Sequence, residues 1–467
     1  MKPALSAVLF VAFAFACGGT PPSAKRAESL LDQGDFGGAQ EVADAELKRF
    51  PKHPTLWHVK IRASLGQGDT RGAVASYERW KEIREGLDDE SALRTMARAT
   101  LWQGLKVPSP EIRVAAIKAV ERLEIESLAL DVAKLMTSDD DSVAAAAAVA
   151  VLRSHPQAPT VATNMMSSPD PRARAIVIDG LGRKIKALAR DDITRGLSDK
   201  APQVRLAAVG ALAGLDSNDD TPALVAAVRS DRDGRVRARA LRALNRGKRG
   251  LQVDLAARAL DDDYVGARLA AVEYLEDHGD DLSSGHLVKA AASADPLVRI
   301  RAAVALFKRG RGDGREVILT ALEDKAWTTR AAAVNSVARA MPKKQALRLV
   351  GAALADRRTE VRLAAARALL ALGGERMAIA ELDKALDDAV ARNRLDAAVD
   401  LSRLGKARGR EVLAALAEHR DPKVRSMAVP LQRFLPKPSR GLIRALGDDS
   451  ARLRLVAAEL ILEMLKD

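Results

Sequence analysis

The sequence predicts an all-α protein in which pairs of helices stack into a right-handed α-solenoid. Three observations predict this fold. Hydrophobic residues make up 48% of the 467 residues but aromatic residues only 3%, so Ala, Leu and Val must build the core. Such a composition favours helices over strands. Two related segments lie 34 residues apart near the N-terminus, and one arginine then recurs at nearly regular intervals.

The N-terminus has the features of an export signal. Lys2 precedes an apolar run at 4–16, which is too short to span a membrane and suits a signal-peptide core. Small residues stand one and three positions before Cys17, the single cysteine. This segment resembles the lipobox of bacterial lipoproteins. The sequence thus predicts a signal peptide at 1–16 and a flexible linker at 17–24.

The lipobox resemblance implies that Cys17 carries lipid and becomes the mature N-terminus. The protein is then expected in the bacterial cell envelope, attached to a membrane through this lipid. By resemblance to the sorting rules of bacterial lipoproteins, the residue after the cysteine, which is Gly18 and not an Asp, favours the periplasmic face of the outer membrane. The alternative is cleavage near Ala16 without lipidation, which would give a soluble periplasmic or secreted protein.

Residues 25–107 contain two related helix–turn–helix units. Each carries a Gly-Asp dipeptide at its bend, at 34–35 and 68–69, and a small residue follows five positions after the glycine. The 34-residue spacing makes the segment resemble tetratricopeptide repeats. Two such units are fewer than a stable stack usually needs, so a helix at 88–105 is expected to serve as the third layer.

Residues 108–467 are predicted to form about twelve further helix pairs. In eleven of the twelve units the second helix carries an arginine in its first turn, and a small or apolar residue follows three positions later. The interval between units is 29 to 32 residues, and one unit has Ala144 where the others have arginine. The eleven arginines of this column are Arg113, Arg174, Arg205, Arg237, Arg268, Arg299, Arg330, Arg362, Arg394, Arg425 and Arg454.

This array resembles HEAT repeats, in particular the short repeats of the phycobilisome-lyase-like group. One helix pair cannot bury its apolar face alone, so neighbouring pairs must stack. The arginine column is therefore expected to be structural: each guanidinium group would bind a turn carboxylate across the repeat boundary or carbonyls at a helix end. The predicted acceptors are Asp140, Asp170, Asp233, Asp295 and Asp421.

The excess positive charge is unevenly distributed. The formal net charge is +13, and residues 229–250 hold nine basic residues against two acidic ones. Three of these arginines recur at i, i+3 and i+7, so they share one face of a helix, which is expected to line the inner side of the solenoid. Candidate residues for binding an anionic partner are Arg239, Arg242, Arg246, Lys308 and Arg339. The alternative interpretation is a merely solvated surface.

The sequence contains no recognisable catalytic or metal-binding motif. The six histidines are scattered through different units, and the Asp clusters lack the ligand spacing of a calcium loop. These Asp residues precede predicted helices, where Asp is a favoured cap. No phosphate-binding loop is present either. We therefore expect no metal, no cofactor and no enzymatic activity.

The leading functional hypothesis is a monomeric scaffold that binds other proteins along the solenoid surface, because HEAT and tetratricopeptide repeats characteristically bind proteins. One alternative is a HEAT-repeat protein that binds nucleic acid or another polyanion, including a HEAT-like DNA glycosylase. The export signal and the scarcity of aromatic residues argue against nucleic acid, since base stacking uses aromatic side chains. Another alternative is an enzyme similar to bilin lyases.

Overall fold

The computed structural model describes residues 22–247, 252–278 and 281–466. Within these ranges all regular structure is helical, with 28 α-helices, eight short 3-10 helices and no strand. The prediction of an all-α solenoid is thus confirmed. The predicted signal peptide and Cys17 lie outside the described ranges. No helix among the described residues combines the length and the hydropathy needed to cross a membrane.

The helices follow one another in pairs. The N-terminal six are α1 (Pro22–Asp32), α2 (Phe36–Leu47), α3 (Pro54–Gly66), α4 (Thr70–Ile83), α5 (Glu90–Gly104) and α6 (Pro110–Arg122). The next twelve are α7 (Ala129–Lys134), α8 (Asp141–Ala150), α9 (Ala158–Met165), α10 (Pro171–Lys184), α11 (Arg190–Arg195), α12 (Pro202–Leu215), α13 (Thr221–Ser230), α14 (Gly234–Arg246), α15 (Val253–Ala259), α16 (Val265–His278), α17 (Asp281–Ala291) and α18 (Pro296–Lys308). The last ten are α19 (Gly312–Leu322), α20 (Trp327–Ala340), α21 (Lys343–Ala352), α22 (Thr359–Leu372), α23 (Glu375–Ala385), α24 (Ala391–Arg403), α25 (Ala407–Leu416), α26 (Pro422–Ala428), α27 (Arg440–Arg444) and α28 (Ala451–Met464).

The chain divides into two compact units. Unit 1 is Met1–Glu124 together with Ala414–Asp467, and unit 2 is Ile125–Leu413. In unit 2 the even-numbered helices α8 to α24 form a single row, in which each helix packs against the next. We call this the second-helix row. Each odd-numbered helix packs against the second helix of its own pair.

Close packing in this row depends on small side chains. The residue three positions after each position of the column, Ala144 included, is completely buried in all twelve repeats, and it is alanine in eleven of them. A methyl group at this position lets neighbouring helices approach closely. The fully buried residues are Ala116, Ala147, Val177, Ala208, Ala240, Ala271, Ala302, Ala333, Ala365, Ala397, Ala428 and Ala457.

The two helix pairs at the start of unit 1 have the predicted Gly-Asp bends. Gly34 and Gly68 adopt φ values of 80° and 78°, a conformation that strongly favours glycine. Asp35 then caps α2 by accepting a hydrogen bond from the Gly38 amide, and Asp69 caps α4 in the same way.

Helices from the two ends of the sequence pack together within unit 1, a contact that sequence analysis did not predict. Helix α28 packs against α5 and α6. Glu78 of α4 accepts hydrogen bonds from Arg440 Nε at 2.9 Å and from Arg444 Nε at 2.7 Å. Burial alone would raise the pKa of Glu78, but these hydrogen bonds outweigh burial and lower the pKa below its ordinary value.

Candidate functional site

The arginine column forms a ladder of hydrogen bonds between neighbouring repeats. Arg205 is representative: its Nε and Nη2 donate to the two carboxylate oxygens of Asp231 at 2.7 and 2.8 Å. Its Nη1 donates to the carbonyl oxygen of Asp199 at 2.9 Å. The carbonyl of Asp231 in turn accepts from Nη1 of Arg237 at 2.7 Å. One aspartate therefore joins two successive arginines, through its carboxylate and its carbonyl.

The same arrangement recurs in both units. In each case the accepting aspartate lies six residues before the next position of the column. The pairs are Arg174 with Asp199, Arg205 with Asp231, Arg237 with Asp262, Arg330 with Asp356, and Arg425 with Asp448.

Other positions of the column keep the backbone contact and vary the acidic partner. Arg362 binds Glu381 at 2.6 Å, and Arg268 lies 3.7 Å from Asp295. The Nη1 groups of Arg299, Arg394 and Arg454 donate to carbonyl oxygens five and six residues earlier in the chain. Arg113 is half-buried in the first turn of α6.

The ladder uses different carboxylates from those that the sequence suggested. The five predicted acceptors are N-caps, because they stand immediately before helices whose first amides lack intrahelical partners. Asp233, for example, accepts from the Arg235 amide at 2.8 Å. Asp295 combines both roles, as a cap and as the neighbour of Arg268. The capping residues are Asp140, Asp170, Asp233, Asp295 and Asp421.

A groove on the second-helix row of unit 2 is the candidate binding site. Its volume is about 520 Å³, and it lies over α14 and the flanking helices α12 and α16. Four arginines at successive turns of α14 project into it. One aromatic ring and one carboxylate also line it. These residues are Arg235, Arg239, Arg242, Arg246, Tyr264 and Glu273. We call this site the α14 groove.

Two of the four arginines are engaged by acidic residues. Arg235 binds Asp233 at 2.6 Å. Arg242 donates to Glu273 of α16 at 3.2 Å and to the carbonyl of Gly266 at 3.3 Å. Arg242, one of the candidate residues for binding an anionic partner, is therefore already paired with a carboxylate. A partner on the neighbouring repeat, which is 31 residues away in the chain, already neutralises it.

The other two arginines remain available. Arg239 and Arg246 are exposed, and neither forms a hydrogen bond or ion pair with any described residue. Arg239 lies flat against α12 because position 210 is glycine, and a Cβ there would collide with its guanidinium group. The α14 groove therefore presents two unneutralised guanidinium groups on one helix face.

Tyr264 is the aromatic residue of the groove, and sequence analysis did not identify it. It lies just before α16, and its ring is close enough to Gly234 and Gly266 that a Cβ on either glycine would strike it. The residue is nevertheless 39% exposed. The sequence could have pointed to this residue, because it is a tyrosine at a turn in a chain that contains only three tyrosines.

The remaining candidates for anion binding lie outside the groove. Lys308 at the end of α18 donates to Glu276 at 2.6 Å and is likewise not a free cation. Arg339 is exposed near the end of α20. The structure thus brings Arg239, Arg242 and Arg246 together and leaves the other two apart.

Two further observations on the described ranges concern metal binding and a second groove. No group of three or more His, Cys, Asp or Glu side chains there is arranged to hold a metal ion. A larger groove of about 1040 Å³ lies beside the turns of two repeats in unit 2. Its charged lining includes Asp199, Arg205 and Asp231, which belong to the ladder.

Comparison with known sequences identifies the repeat type. The sequence pattern of HEAT repeats matches residues 159–245 and 284–370. No curated protein shows significant sequence similarity to the chain.

Several solved structures of helical repeat proteins are similar to this one, all at low identity. Importin beta is 10% identical, with 92% of this chain and 67% of that chain covered and a TM-score of 0.39. The CpcE–CpcF complex of phycocyanin lyase from Nostoc sp. PCC7120 is 17% identical, with 54% and 91% covered and a TM-score of 0.29. Human deoxyhypusine hydroxylase is 16% identical, with 61% and 98% covered and a TM-score of 0.23. The match to the HEAT-repeat pattern thus concerns two segments of the chain, residues 159–245 and 284–370.

Proposed function

We propose that the protein is a non-enzymatic scaffold, anchored by lipid in the bacterial cell envelope, that binds partner proteins on its HEAT repeats. Stacked repeats create extended surfaces suited to binding other proteins. The observation that carries the proposal is the α14 groove, in which Arg239 and Arg246 have no described partner. Most arginines of the column, by contrast, contribute to contacts between repeats, so those charges are not free for a ligand.

Lipid anchoring predicts a simple result for Cys17. Replacing Cys17 with Ala should abolish incorporation of an alkyne-labelled fatty acid and release the protein from membranes, or block its processing. The reason is that the thiol is the only side chain in this chain that matches the lipidated position of a lipobox. The measurement is metabolic labelling followed by membrane fractionation.

The matched control for this experiment is Thr20→Ala, three residues further along the same spacer. This variant should be labelled and fractionated like the wild type. Equal fatty-acid labelling of the Cys17→Ala variant would contradict the lipoprotein proposal. Loss of labelling in the Thr20→Ala variant as well would show that the effect is not specific to the thiol.

Partner binding can be tested in the cell with a photoreactive residue. Placing p-benzoylphenylalanine at position 264, where it replaces the exposed tyrosine of the α14 groove by another aromatic residue, should give a cross-linked protein adduct of discrete mass after irradiation. The matched position is 229, an exposed arginine of helix α13. We expect little or no adduct there. Absence of a protein adduct from position 264 would contradict a scaffold that uses this groove.

A further inference from the structure

We propose that the α14 groove binds an acidic peptide segment of a partner protein, with one carboxylate on Arg239, a second on Arg246, and an apolar side chain against Tyr264. This inference rests on the proposed scaffold function and adds the chemistry of the partner. Its first support is charge. Four arginines line the groove, and the carboxylates of Asp233 and Glu273 pair with two of them, so the groove retains a positive charge after internal pairing.

The two available arginines are suited to carboxylates in particular. A guanidinium group offers a planar fork of donors that matches a carboxylate in two parallel hydrogen bonds. The protein uses this geometry itself, in the ladder pair of Arg205 with Asp231. In the groove the forks of Arg239 and Arg246 are exposed and have no described acceptor. A ligand that supplies two carboxylates would complete the same interaction.

The spacing of these arginines restricts the ligand. They lie seven residues apart on α14, which corresponds to about 10 Å along the helix axis at 1.5 Å per residue. A peptide in the extended polyproline II conformation rises about 3.1 Å per residue and returns to the same face every three residues, so its i and i+3 side chains lie about 9 Å apart. Acidic residues at i and i+3 therefore match Arg239 and Arg246.

The rest of the lining favours a peptide over a nucleic acid or a polyphosphate. Tyr264 and the half-buried Leu206 offer apolar surface beside the arginines. Glu273 is held in the groove by Arg242, and it would repel an uninterrupted row of phosphates. A peptide can place a neutral apolar residue at that point, between its two carboxylates.

The test uses a defined peptide and the full chain. The probe is a fluorescein-labelled peptide with Glu at i and i+3 and Leu between them in a Pro- and Ser-rich background. The reference peptide has Gln in place of both Glu. Fluorescence anisotropy should show that the Glu peptide binds at least about tenfold more tightly, because each lost charged hydrogen bond weakens binding. Binding should weaken as salt rises, since the arginines are exposed.

The decisive variant reverses both available charges, Arg239→Glu with Arg246→Glu. It should weaken binding of the Glu peptide by about tenfold or more while shifting the thermal unfolding midpoint no more than the control pair described next, because neither side chain has a described partner and both pairs include last-turn arginines. The matched control is Arg229→Glu with Arg258→Glu, which changes the net charge equally on exposed sites of α13 and α15. It should alter affinity by less than about twofold.

Each other outcome has a defined meaning. Equal binding of the Glu and Gln peptides, or equal losses in the two double variants, would overturn the acidic-peptide proposal. Tighter binding of single-stranded DNA or of anionic vesicles, lost in the same groove variant, would overturn it in favour of a polyanion site. A cross-linked protein adduct at position 264 together with a failed peptide test would leave the scaffold proposal standing and remove only the acidic partner.

Discussion

Replacing Arg330 with alanine is expected to lower the free energy of unfolding of unit 2 by about 2–3 kcal/mol. The side chain is 8% exposed, and its Nε and Nη2 donate to the carboxylate of Asp356 at 2.6 and 2.8 Å. Its Nη1 also donates to the carbonyls of Asp324 and Lys325. The truncation would leave a largely buried carboxylate without its cation, which costs more than the loss of an exposed ion pair.

The measurement is chemical denaturation combined with hydrogen exchange, because repeat arrays can open locally. Exchange should accelerate first in α20, which contains Arg330, and in α22, which follows the turn that contains Asp356. The matched control is Arg299→Ala, whose guanidinium donates to the carbonyls of Ser293 and Ala294. This substitution is expected to lower the free energy of unfolding by less, about 1 kcal/mol. Equal losses of unfolding free energy in the two variants would show that the carboxylate of Asp356 does not contribute to stability.

The pH dependence supplies a second readout of the same pair. Hydrogen bonds from Arg330 are the main cause that lowers the pKa of Asp356 below its ordinary value of 3.8. A lowered pKa means that the pair stabilises the fold above this ordinary value, and that this contribution is lost as pH falls towards the pKa of the folded state. The difference in stability between the wild type and the Arg330→Ala variant should therefore shrink on acidification below about pH 4.

Replacing Gly314 with alanine is expected to destabilise the protein by about 2–3 kcal/mol, although Gly→Ala in a helix normally stabilises by up to about 1 kcal/mol. Gly314 is buried in α19 where this helix approaches α18. A Cβ there would lie 2.8 Å from the amide nitrogen of Phe307, 3.0 Å from the Cβ of Leu306, and in collision with the carbonyl of Ala303. Backbone atoms cannot move aside as a flexible side chain can, so α18 and α19 must separate.

The same helix offers the matched control. Gly312 stands two residues earlier in α19, and a Cβ there would meet no atom within 4 Å. The Gly312→Ala substitution should be neutral or slightly stabilising, since it only reduces the freedom of the unfolded chain. The stabilities of the two variants are compared by thermal denaturation. Equal stability of the two would mean that α18 and α19 are not packed as closely as described.

Much of the fold follows from the sequence because the interactions of a repeat stack are mostly local or between adjacent repeats. The predicted helix at 88–105 corresponds to α5, Glu90–Gly104. The small residue three positions after each column arginine predicted the buried side of the second helices, and all twelve of these residues are fully buried. A helix presents a period of 3.6 residues to its neighbour, so this kind of burial is readable from spacing alone.

Partner choice among charged residues is where sequence reasoning failed. Each turn of the array can carry two aspartates, as Asp231 and Asp233 do, and their spacing does not reveal which one caps the helix and which one accepts the guanidinium fork. The structure assigns capping to Asp233 and the fork of Arg205 to Asp231. That choice depends on where the neighbouring repeat places its arginine, which is a matter of packing between repeats.

The sequence by itself determined the helical class, the repeat period, the buried small residues and the positively charged face of α14. Only the tertiary structure decided which of those charges are free: Arg242 and Lys308 are paired with Glu273 and Glu276 of another repeat, whereas Arg239 and Arg246 have no described partner. It also decided that α4 meets the C-terminal repeats, through Glu78 and Arg444, which are 366 residues apart in the chain. Helix periodicity and burial are local properties of the chain, whereas the pairing of charges depends on distances that only folding creates.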